Sequence, residues 1–175
     1  TELLQAEQSG EMSPAETDDE LRVVLLAGSE TTGLTICWLL YDLARHPRVH
    51  DKLRSLRGAE RAAYFKCCFN ESQRHHPVAF GTGRDSAVPL VFHGVMLPAG
   101  TNITAVWSTS IFDPSIWGAD VNEFRPERFA ESTFPESVWS PFGFGVRKCI
   151  GARFAQLETK IAVLAIASQF RIKVI

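Results

Sequence analysis

A stretch of about 30 residues near the start of this 175-residue chain predicts one long helix. Its apolar residues at helical spacing are Leu21, Val24, Leu25, Ile36, Leu39, Leu40 and Leu43. Ser13, Pro14 and Glu16 predict an N-cap, a first turn and a capping box. The pattern ends at Arg45-His46, because Pro47 disfavours a helical residue before it. At roughly 45 Å this helix would cross a whole small domain, so the other elements have to pack around it.

The middle of the predicted helix is unusual. Residues 27–33, which we call the notch, read Ala-Gly-Ser-Glu-Thr-Thr-Gly between two apolar halves. Glycine in a helix interior costs about 1 kcal/mol relative to alanine, and hydroxyls that bond to the preceding turn tend to bend a helix. Small residues around an acid indicate that something docks closely there. Taken alone, the segment could also be a kinked core helix with its polar residues towards solvent.

The rest of the chain predicts a mainly α protein with small β hairpins. Further helices are expected at 47–56, 59–75 and about 151–170. The β-branched segments 88–97 and 101–107 flank the turn Leu97-Pro98-Ala99-Gly100 and predict one hairpin.

Two segments have no sustained period. Residues 113–148 predict a long loop of the kind that is often functional. Residues 1–12 are polar and are expected to be disordered or frayed, so the structured part should be 13–175. Because the chain begins with Thr1 and not Met, it gives no information on an anchor elsewhere in the intact protein.

Charge and composition exclude some classes of function. Eighteen basic and twenty acidic side chains leave a net charge of −2, which gives no reason to expect a nucleic-acid partner. The uncharged runs Thr31–Tyr41 and Ile161–Phe170 are each shorter than the roughly 20 apolar residues of a membrane-spanning helix. The four cysteines form no Cys-x-x-Cys pair, which favours a reducing compartment.

Residues 142–151, which we call the cysteine loop, read Phe-Gly-Phe-Gly-Val-Arg-Lys-Cys-Ile-Gly. Glycines before Cys149 permit a tight loop, and Gly151 lets a helix begin beside it. A cysteine at a helix N-terminus lies at the positive end of the helix dipole, which favours the thiolate. The arrangement suits a soft metal held by one thiolate and a flat cofactor against glycine. A buried structural cysteine after a glycine turn is the alternative.

The cysteine loop resembles the haem-binding signature of the cytochrome P-450 family, Phe-x-x-Gly-x-Arg-x-Cys-x-Gly, at every fixed position. This resemblance implies that Cys149 is the axial iron ligand of haem b. It also implies that Arg147 pairs with a haem propionate, that Phe142 packs beside the sulfur, and that Gly145 and Gly151 contact the cofactor. In such proteins the thiolate pushes electron density towards oxygen–oxygen cleavage.

The notch resembles the family's distal oxygen-binding segment. Oxygen activation requires two protons, which a hydroxyl with ordered water can relay and an acid can supply. The resemblance implies that Thr31 is the relay, that Glu30 is its acidic partner, and that Ala27 and Gly28 lie against the cofactor. By the same resemblance, Arg84 binds the second propionate.

Glu71 and Arg74 are three residues apart on a predicted helix, so the two side chains can meet. Alone, this spacing would equally fit a solvated surface pair. Residues 126–129, Pro-Glu-Arg-Phe, resemble the family's second-arginine motif. The resemblance implies that Glu71, Arg74 and Arg128 form a buried ion triad that pins the loop before the cysteine.

The resemblance extends from Ser13 to about Phe170 and implies a partial cytochrome P-450 fold, from the oxygen-binding helix to the cysteine-loop helix. Residues 13–175 would be the C-terminal portion of one haem-binding monooxygenase domain. The implied reaction inserts one atom of O2 into an apolar organic substrate, with electrons from NADPH through a reductase. Lys148 and Arg153 are candidates for its docking surface.

The implied location is the cytosolic face of the endoplasmic-reticulum membrane, through an anchor upstream of this chain. A truncated fragment without catalytic activity and a haem-binding module without turnover are the alternatives. Helices that would cover the far side of the long helix are also missing, so a large apolar face should be exposed.

A zinc site is the competing interpretation of Cys67, Cys68, His75 and His76. Adjacent cysteines do not readily donate two ligands to one tetrahedral ion, so zinc is not expected there. Cys67 and Cys68 should instead lie in the helix core.

Overall fold

The computed structural model describes residues 2–175, except for the side chain of Ser108, and it is mainly α with two small antiparallel sheets. This confirms the predicted fold class. The helices are α1 (Glu2–Ser9), α2 (Pro14–Arg45), α3 (Pro47–Ser55), α4 (Gly58–His75), α5 (Pro114–Trp117), α6 (Arg128–Glu131) and α7 (Ala152–Gln169). The strands are β1 (Gly81–Asp85), β2 (Leu90–Phe92), β3 (Val95–Leu97) and β4 (Asn102–Val106). Short 3-10 turns lie at Trp107–Thr109 and Gly145–Arg147.

The predicted capping box begins α2. The backbone N–H of Glu16 donates to Ser13 Oγ at 3.3 Å, and the Ser13 N–H donates to the Glu16 carboxylate at 2.8 Å. The helix ends at Arg45, where the His46 N–H donates to the Asp42 carbonyl. Both ends of the long helix are therefore where the sequence predicts them.

The notch does not interrupt α2. The hydroxyls of Ser29, Thr31 and Thr35 donate to carbonyls four residues earlier, at 2.7, 2.7 and 2.9 Å. Because the helix continues through the notch, its two apolar halves form one segment that is long and apolar enough to cross a membrane. The prediction that no segment meets this criterion considered the halves separately and is wrong. Core helices meet the same criterion of length and composition.

The hydrophobic core forms where the second half of α2 meets α3, α4 and α7. Its buried members are Leu39, Leu43, Leu53, Tyr64, Phe65, Cys68, Phe69, Val163 and Ala167. Cys67 and Cys68 are both buried, as predicted for helix-core residues. The core thus fixes α7, which follows the cysteine loop, against the helix that carries the notch.

The predicted β pairing is wrong. Residues 88–97 contain their own hairpin, in which β2 pairs with β3 across His93-Gly94. Both turn residues have positive φ, +48° and +80°, and such turns match the twist of two-residue hairpins. Strand β4 pairs instead with β1, and a Cβ on Gly81 would lie 2.4 Å from the Ala105 carbonyl oxygen. Glycine is therefore required for this close strand approach.

The N-terminal segment also differs from the prediction. Residues 2–9 form α1, although the sequence predicts a disordered or frayed segment up to residue 12. Gly10, at φ +79°, ends this helix, and the Glu11 N–H donates to the Ala6 carbonyl at 2.9 Å. No residue of α1 is buried. Thr1 lies outside the described residues, and the division of the chain at residue 12 stays a prediction.

Candidate functional site

The cysteine loop closes on itself before α7 begins. The Cys149 N–H donates to the Phe142 carbonyl at 2.9 Å, and the Lys148 N–H donates to the Gly145 carbonyl at 3.1 Å. Gly143 and Gly145 have φ of +71° and +66°, which glycine adopts without steric cost. The Phe142 ring stacks on Phe69 of α4 at 6.2 Å, which anchors the loop to the core.

Cys149 has a free thiol that is exposed, two residues before the N-cap of α7. Around it Gly145 and Arg147 are exposed and Gly151 is half-buried. A Cβ built on Gly145 would meet no atom within 4 Å, so the loop leaves open space beside it. A single soft donor next to open glycine backbone fits the requirements of a flat cofactor held by one thiolate.

The notch presents an equally open surface on α2. Ala27, Gly28, Glu30 and Thr31 are all exposed, and a Cβ on Gly28 would meet no atom within 4 Å. Thr31 Oγ1 donates to the Ala27 carbonyl, so its lone pairs remain free to accept. These four residues lie within two turns of one helix, which packs against α7.

Arg84 stands apart from both groups. It lies on β1 with an exposed side chain, and its Nη1 donates to Thr82 Oγ1 at 2.9 Å and to the Gly83 carbonyl at 2.6 Å. The structure therefore groups the expected site residues into the notch, the cysteine loop and this strand.

Glu71, Arg74 and Arg128 meet in the interior, and their side chains are at most 2% exposed. Glu71 accepts from Arg74 Nε at 3.0 Å and from Arg74 Nη2 at 2.9 Å. Its Oε1 also accepts from Arg128 Nε at 3.0 Å. Two guanidinium groups on one carboxylate satisfy a set of charges that would otherwise be costly to bury.

The remaining donors of the ion triad hold the loop that precedes the cysteine. Arg74 Nη1 donates to the Ile111 carbonyl at 2.7 Å, and Arg128 Nη1 donates to the Trp117 carbonyl at 2.9 Å. The Arg125 N–H donates to Glu71 Oε1 at 2.9 Å. One carboxylate and two guanidinium groups therefore connect α4 to several points between residues 111 and 128.

Burial alone would raise the pKa of Glu71. Hydrogen bonds from His75 and Arg74, the charge of Arg74 and the Arg125 N–H outweigh burial and lower this pKa to about 2. Glu71 is therefore an anion at neutral pH, as the two guanidinium groups require.

Aromatic rings continue from the ion triad towards the cysteine loop. The ring of Trp117 lies 6.0 Å from that of Trp139 in an edge-to-face contact. The next residue, Ser140, donates through Oγ to the Gly143 carbonyl at 2.8 Å. A chain of packed groups thus joins the triad's loop to the turn that holds Cys149.

The sequence did not reveal two polar contacts that α2 makes, one with α4 and one with His76 at the C-cap of α4. Gln73 Nε2 donates to Thr35 Oγ1 at 2.9 Å, and His76 Nε2 lies 3.1 Å from Asp42 Oδ1. Burial raises the pKa of Asp42 despite the opposing effects of Ser72 and His76. Only the spacing of Thr35 and Asp42, seven residues apart on one helix face, could have indicated them.

An open cleft lies between α4 and α7, and one of its lining residues, Arg153, follows the cysteine loop by two residues. Phe65 and Phe69 line it together with the basic residues Lys66, Arg153 and Lys160. Lys148, the other predicted docking residue, pairs with Glu136 at 3.0 Å on the surface. Of the two predicted docking residues, Arg153 therefore lines the basic cleft, whereas Lys148 does not.

The zinc interpretation meets a different arrangement. His75 lies 3.5 Å from Glu71, and His76 contacts Asp42, while both cysteines face the core. Within residues 2–175, no three His, Cys, Asp or Glu side chains form a group that could hold a metal ion.

Comparison of the sequence with known proteins shows which family the chain belongs to. A family model described as Cytochrome P450 matches residues 1–175. Cytochrome P450 714B2 of Oryza sativa subsp. japonica is 32% identical over 167 residues, which cover 89% of this chain and 31% of the relative. Putative cytochrome P450 135A1 of Mycobacterium tuberculosis is 32% identical over 165 residues, covering 92% of this chain and 36% of the relative.

Lithocholate 6-beta-hydroxylase of Mesocricetus auratus is 32% identical over 181 residues, covering 93% of this chain and 35% of the relative. The chain thus spans about a third of the length of these curated relatives. The match over all 175 residues, together with these relatives, shows that the chain belongs to the cytochrome P-450 family.

Proposed function

We propose that the whole protein is a haem-dependent monooxygenase that inserts one atom of O2 into an apolar organic substrate. The observation that carries this proposal is the free, exposed thiol of Cys149 on a glycine loop two residues before the N-cap of α7. When bound there, haem would supply the redox chemistry that activates dioxygen, with electron density pushed by the thiolate.

The cysteine loop would hold the cofactor from one side. Cys149 is the iron ligand in this proposal, and its backbone bond to Phe142 fixes the direction of the side chain. Gly145 and Gly151 leave room for a flat ring, because a side chain at either position would occupy that space. Phe142 would shield the sulfur from water.

Two arginines would neutralise the propionates of haem b. Arg147 follows Gly145 in the 3-10 turn of the loop and is exposed. Arg84 is exposed on β1 and uses only Nη1 in its bonds within the described residues. Both therefore retain guanidinium donors for a carboxylate.

On the other side, the notch would approach the cofactor and deliver protons. Ala27 and Gly28 have no bulky side chain, so a flat ring could approach their backbone closely. Because the Thr31 hydroxyl already donates to the Ala27 carbonyl, its lone pairs would accept a hydrogen bond from an ordered water and hold that water where it delivers protons. The exposed carboxyl group of Glu30, when protonated, would give its proton to that water and take up another from solvent.

Electrons would come from NADPH through a reductase. The basic cleft of Lys66, Arg153 and Lys160 has an apolar floor of Phe65 and Phe69, so it could receive an acidic partner surface. One relative is a lithocholate 6-beta-hydroxylase, which supports an apolar substrate. We place the intact protein on the cytosolic face of the endoplasmic-reticulum membrane, with an anchor upstream of this chain.

The exposed apolar surface of α2 would be covered by the rest of the polypeptide. Its exposed large hydrophobic side chains are Leu21, Val23, Val24, Leu25, Leu26, Leu34, Trp38 and Tyr41. A face of this size needs a partner in a soluble domain. Residues 1–175 alone are therefore expected to bind haem poorly and to turn over no substrate.

The proposal is tested by 18O labelling and by peroxide measurement in the full-length protein, with its reductase and any apolar compound that it oxidises. The product oxygen should come from 18O2. Thr31→Ala should raise peroxide release per O2 consumed by roughly tenfold or more, since proton delivery fails. Ser29→Ala is the matched control, because the Ser29 hydroxyl also donates to the carbonyl four residues earlier and lies two residues before Thr31. Product oxygen derived from water would contradict the proposal.

A further inference from the structure

We propose that an open cleft at the junction of α3, α4 and the end of α7 binds a phosphate group. The cleft has a volume of about 390 Å³ and is lined by Asp51, Arg54, Ser55, Arg57, Arg61 and Ser168. We call it the arginine cleft. It lies outside the notch and the cysteine loop, and the proposal does not depend on the chemistry proposed for them.

A short connection creates the cleft. Helix α3 ends at Ser55 and α4 begins at Gly58, so only two residues separate them. Gly58 has φ of +52°, which allows the sharp reversal. The last turn of α3 and the first turn of α4 therefore lie side by side, and Arg54 and Arg61 line the same space.

The three guanidinium groups retain free donors. Arg54 uses Nη1 for the carbonyls of Ala167 and Phe170, at 3.3 and 2.7 Å. Arg57 uses Nη1 for the Leu56 carbonyl at 2.8 Å and for that of Arg54, and Arg61 uses Nη2 for Ser168 Oγ. Within the described residues, each guanidinium thus bonds through one nitrogen, and the buried Nε of Arg61 has no partner.

The charges around the cleft favour an anion. The acidic residue of its lining, Asp51, pairs with Arg171 at 3.2 Å, so its charge is already offset. The N-terminus of α4 opens here with Arg57 as N-cap, and no side chain caps it. The positive end of the helix dipole adds to the three guanidinium charges, and Glu60 in the first turn of α4, which is not part of the lining, offsets some of it.

The chemistry favours phosphate over a singly charged carboxylate. A phosphate group offers several oxygens in different directions, whereas a carboxylate offers one planar edge to one fork. The three guanidinium groups come from the end of α3, the linker and the start of α4, so they can reach a phosphate from different directions. The group could belong to a soluble phosphate compound or to a phosphorylated lipid headgroup, since both present the same oxygens.

Thermal unfolding of the full-length protein tests the proposal with inorganic phosphate, against sodium chloride at equal ionic strength. Phosphate should raise the Tm beyond the chloride effect. The double variant Arg57→Gln/Arg61→Gln should weaken the apparent Kd for phosphate by roughly tenfold or more. Arg57→Lys, which keeps the charge and loses the fork, should weaken it less. Arg22→Gln, an exposed arginine on α2, is the matched control and should behave as wild type.

A second arm uses phosphatidylcholine vesicles with and without a phosphoinositide. Stronger capture by the phosphoinositide vesicles than by phosphatidylcholine alone, with the difference lost in the double variant, would assign the phosphate to a lipid. A response to inorganic phosphate without any preference for the phosphoinositide vesicles would assign it to a soluble compound. If neither probe acts beyond the chloride control, or if the double variant responds like wild type, the cleft binds no phosphate.

Discussion

Glu71 makes more connections than any sequence pattern around it could indicate. Its two oxygens accept from Arg74, from Arg128 and from the Arg125 backbone, with no exposure to solvent. The sequence predicted the ion triad from the Glu-x-x-Arg spacing and a family resemblance. It could not predict the backbone carbonyls that complete the hydrogen bonding, because those depend on how the loop folds.

Removing one arginine of the triad should be costly. Arg128→Ala would leave Glu71 and Arg74 buried with unmatched donors and acceptors, at a cost of roughly 3–5 kcal/mol. Arg128→Lys should recover little, since Nε, Nη1 and Nη2 all have partners. Urea unfolding of the full-length protein measures both. Lys52→Ala, in the exposed pair with Glu127, is the control and should cost less than about 1 kcal/mol.

Acid should weaken the fold through Glu71. Its folded pKa of about 2 lies below the ordinary 4.5, so the unfolded chain binds the proton more tightly. The stabilisation is fully present above about pH 4.5 and is lost as the pH falls towards 2, in total roughly 3 kcal/mol. Unfolding free energies between pH 5 and pH 2 should fall more steeply for wild type than for Glu71→Gln. Equal slopes would show that Glu71 is not held as a buried anion.

At the scale of elements, helices were predicted better than strands. Helix ends follow from local chemistry, as the capping box at Ser13 and the stop before Pro47 show. Strand pairing depends on distant partners. The sequence analysis paired residues 88–97 with 101–107, whereas β1 pairs with β4 and the β2–β3 hairpin lies between them in the chain. The His93-Gly94 turn was the local signal that should have corrected the predicted pairing.

The cysteine loop depends on glycine conformation. Gly145→Ala places a Cβ at φ +66° and should destabilise the protein by about 1 kcal/mol. Gly33→Ala is the matched control, since Gly33 is helical with open space around it and the change should stabilise α2 by up to about 1 kcal/mol. Denaturant unfolding should therefore give shifts of opposite sign. Equal shifts would show that positive φ is not required in the loop.

At the scale of the whole molecule, the core packs against the second half of α2, whereas residues 18–31 of the same helix are exposed all around. Leu25 and Leu26 are about two-thirds exposed, at 70% and 68%. The sequence analysis predicted this exposure from the family resemblance, and the chain spans about a third of the length of its relatives. Residues 27–31 of the notch belong to this exposed segment.

Residues 1–175 alone should bind an apolar fluorescent dye strongly, whereas the full-length protein should not. The reason is that the remaining polypeptide would cover α2. Replacing Leu25 and Leu26 together by Gln should lower dye binding of the short chain several-fold. Equal dye binding by both proteins would show that the face stays uncovered.

The central claim is that the Cys149 sulfur is the iron ligand, and the spectrum of the reduced carbon-monoxide complex tests it most directly. Full-length wild type should give the Soret band of a thiolate-ligated haem, and so should Cys37→Ala, which removes the other exposed cysteine. Cys149→Ala should lose that band. A band at the histidine-ligated position in wild type, or a thiolate band that survives in Cys149→Ala, would contradict the account.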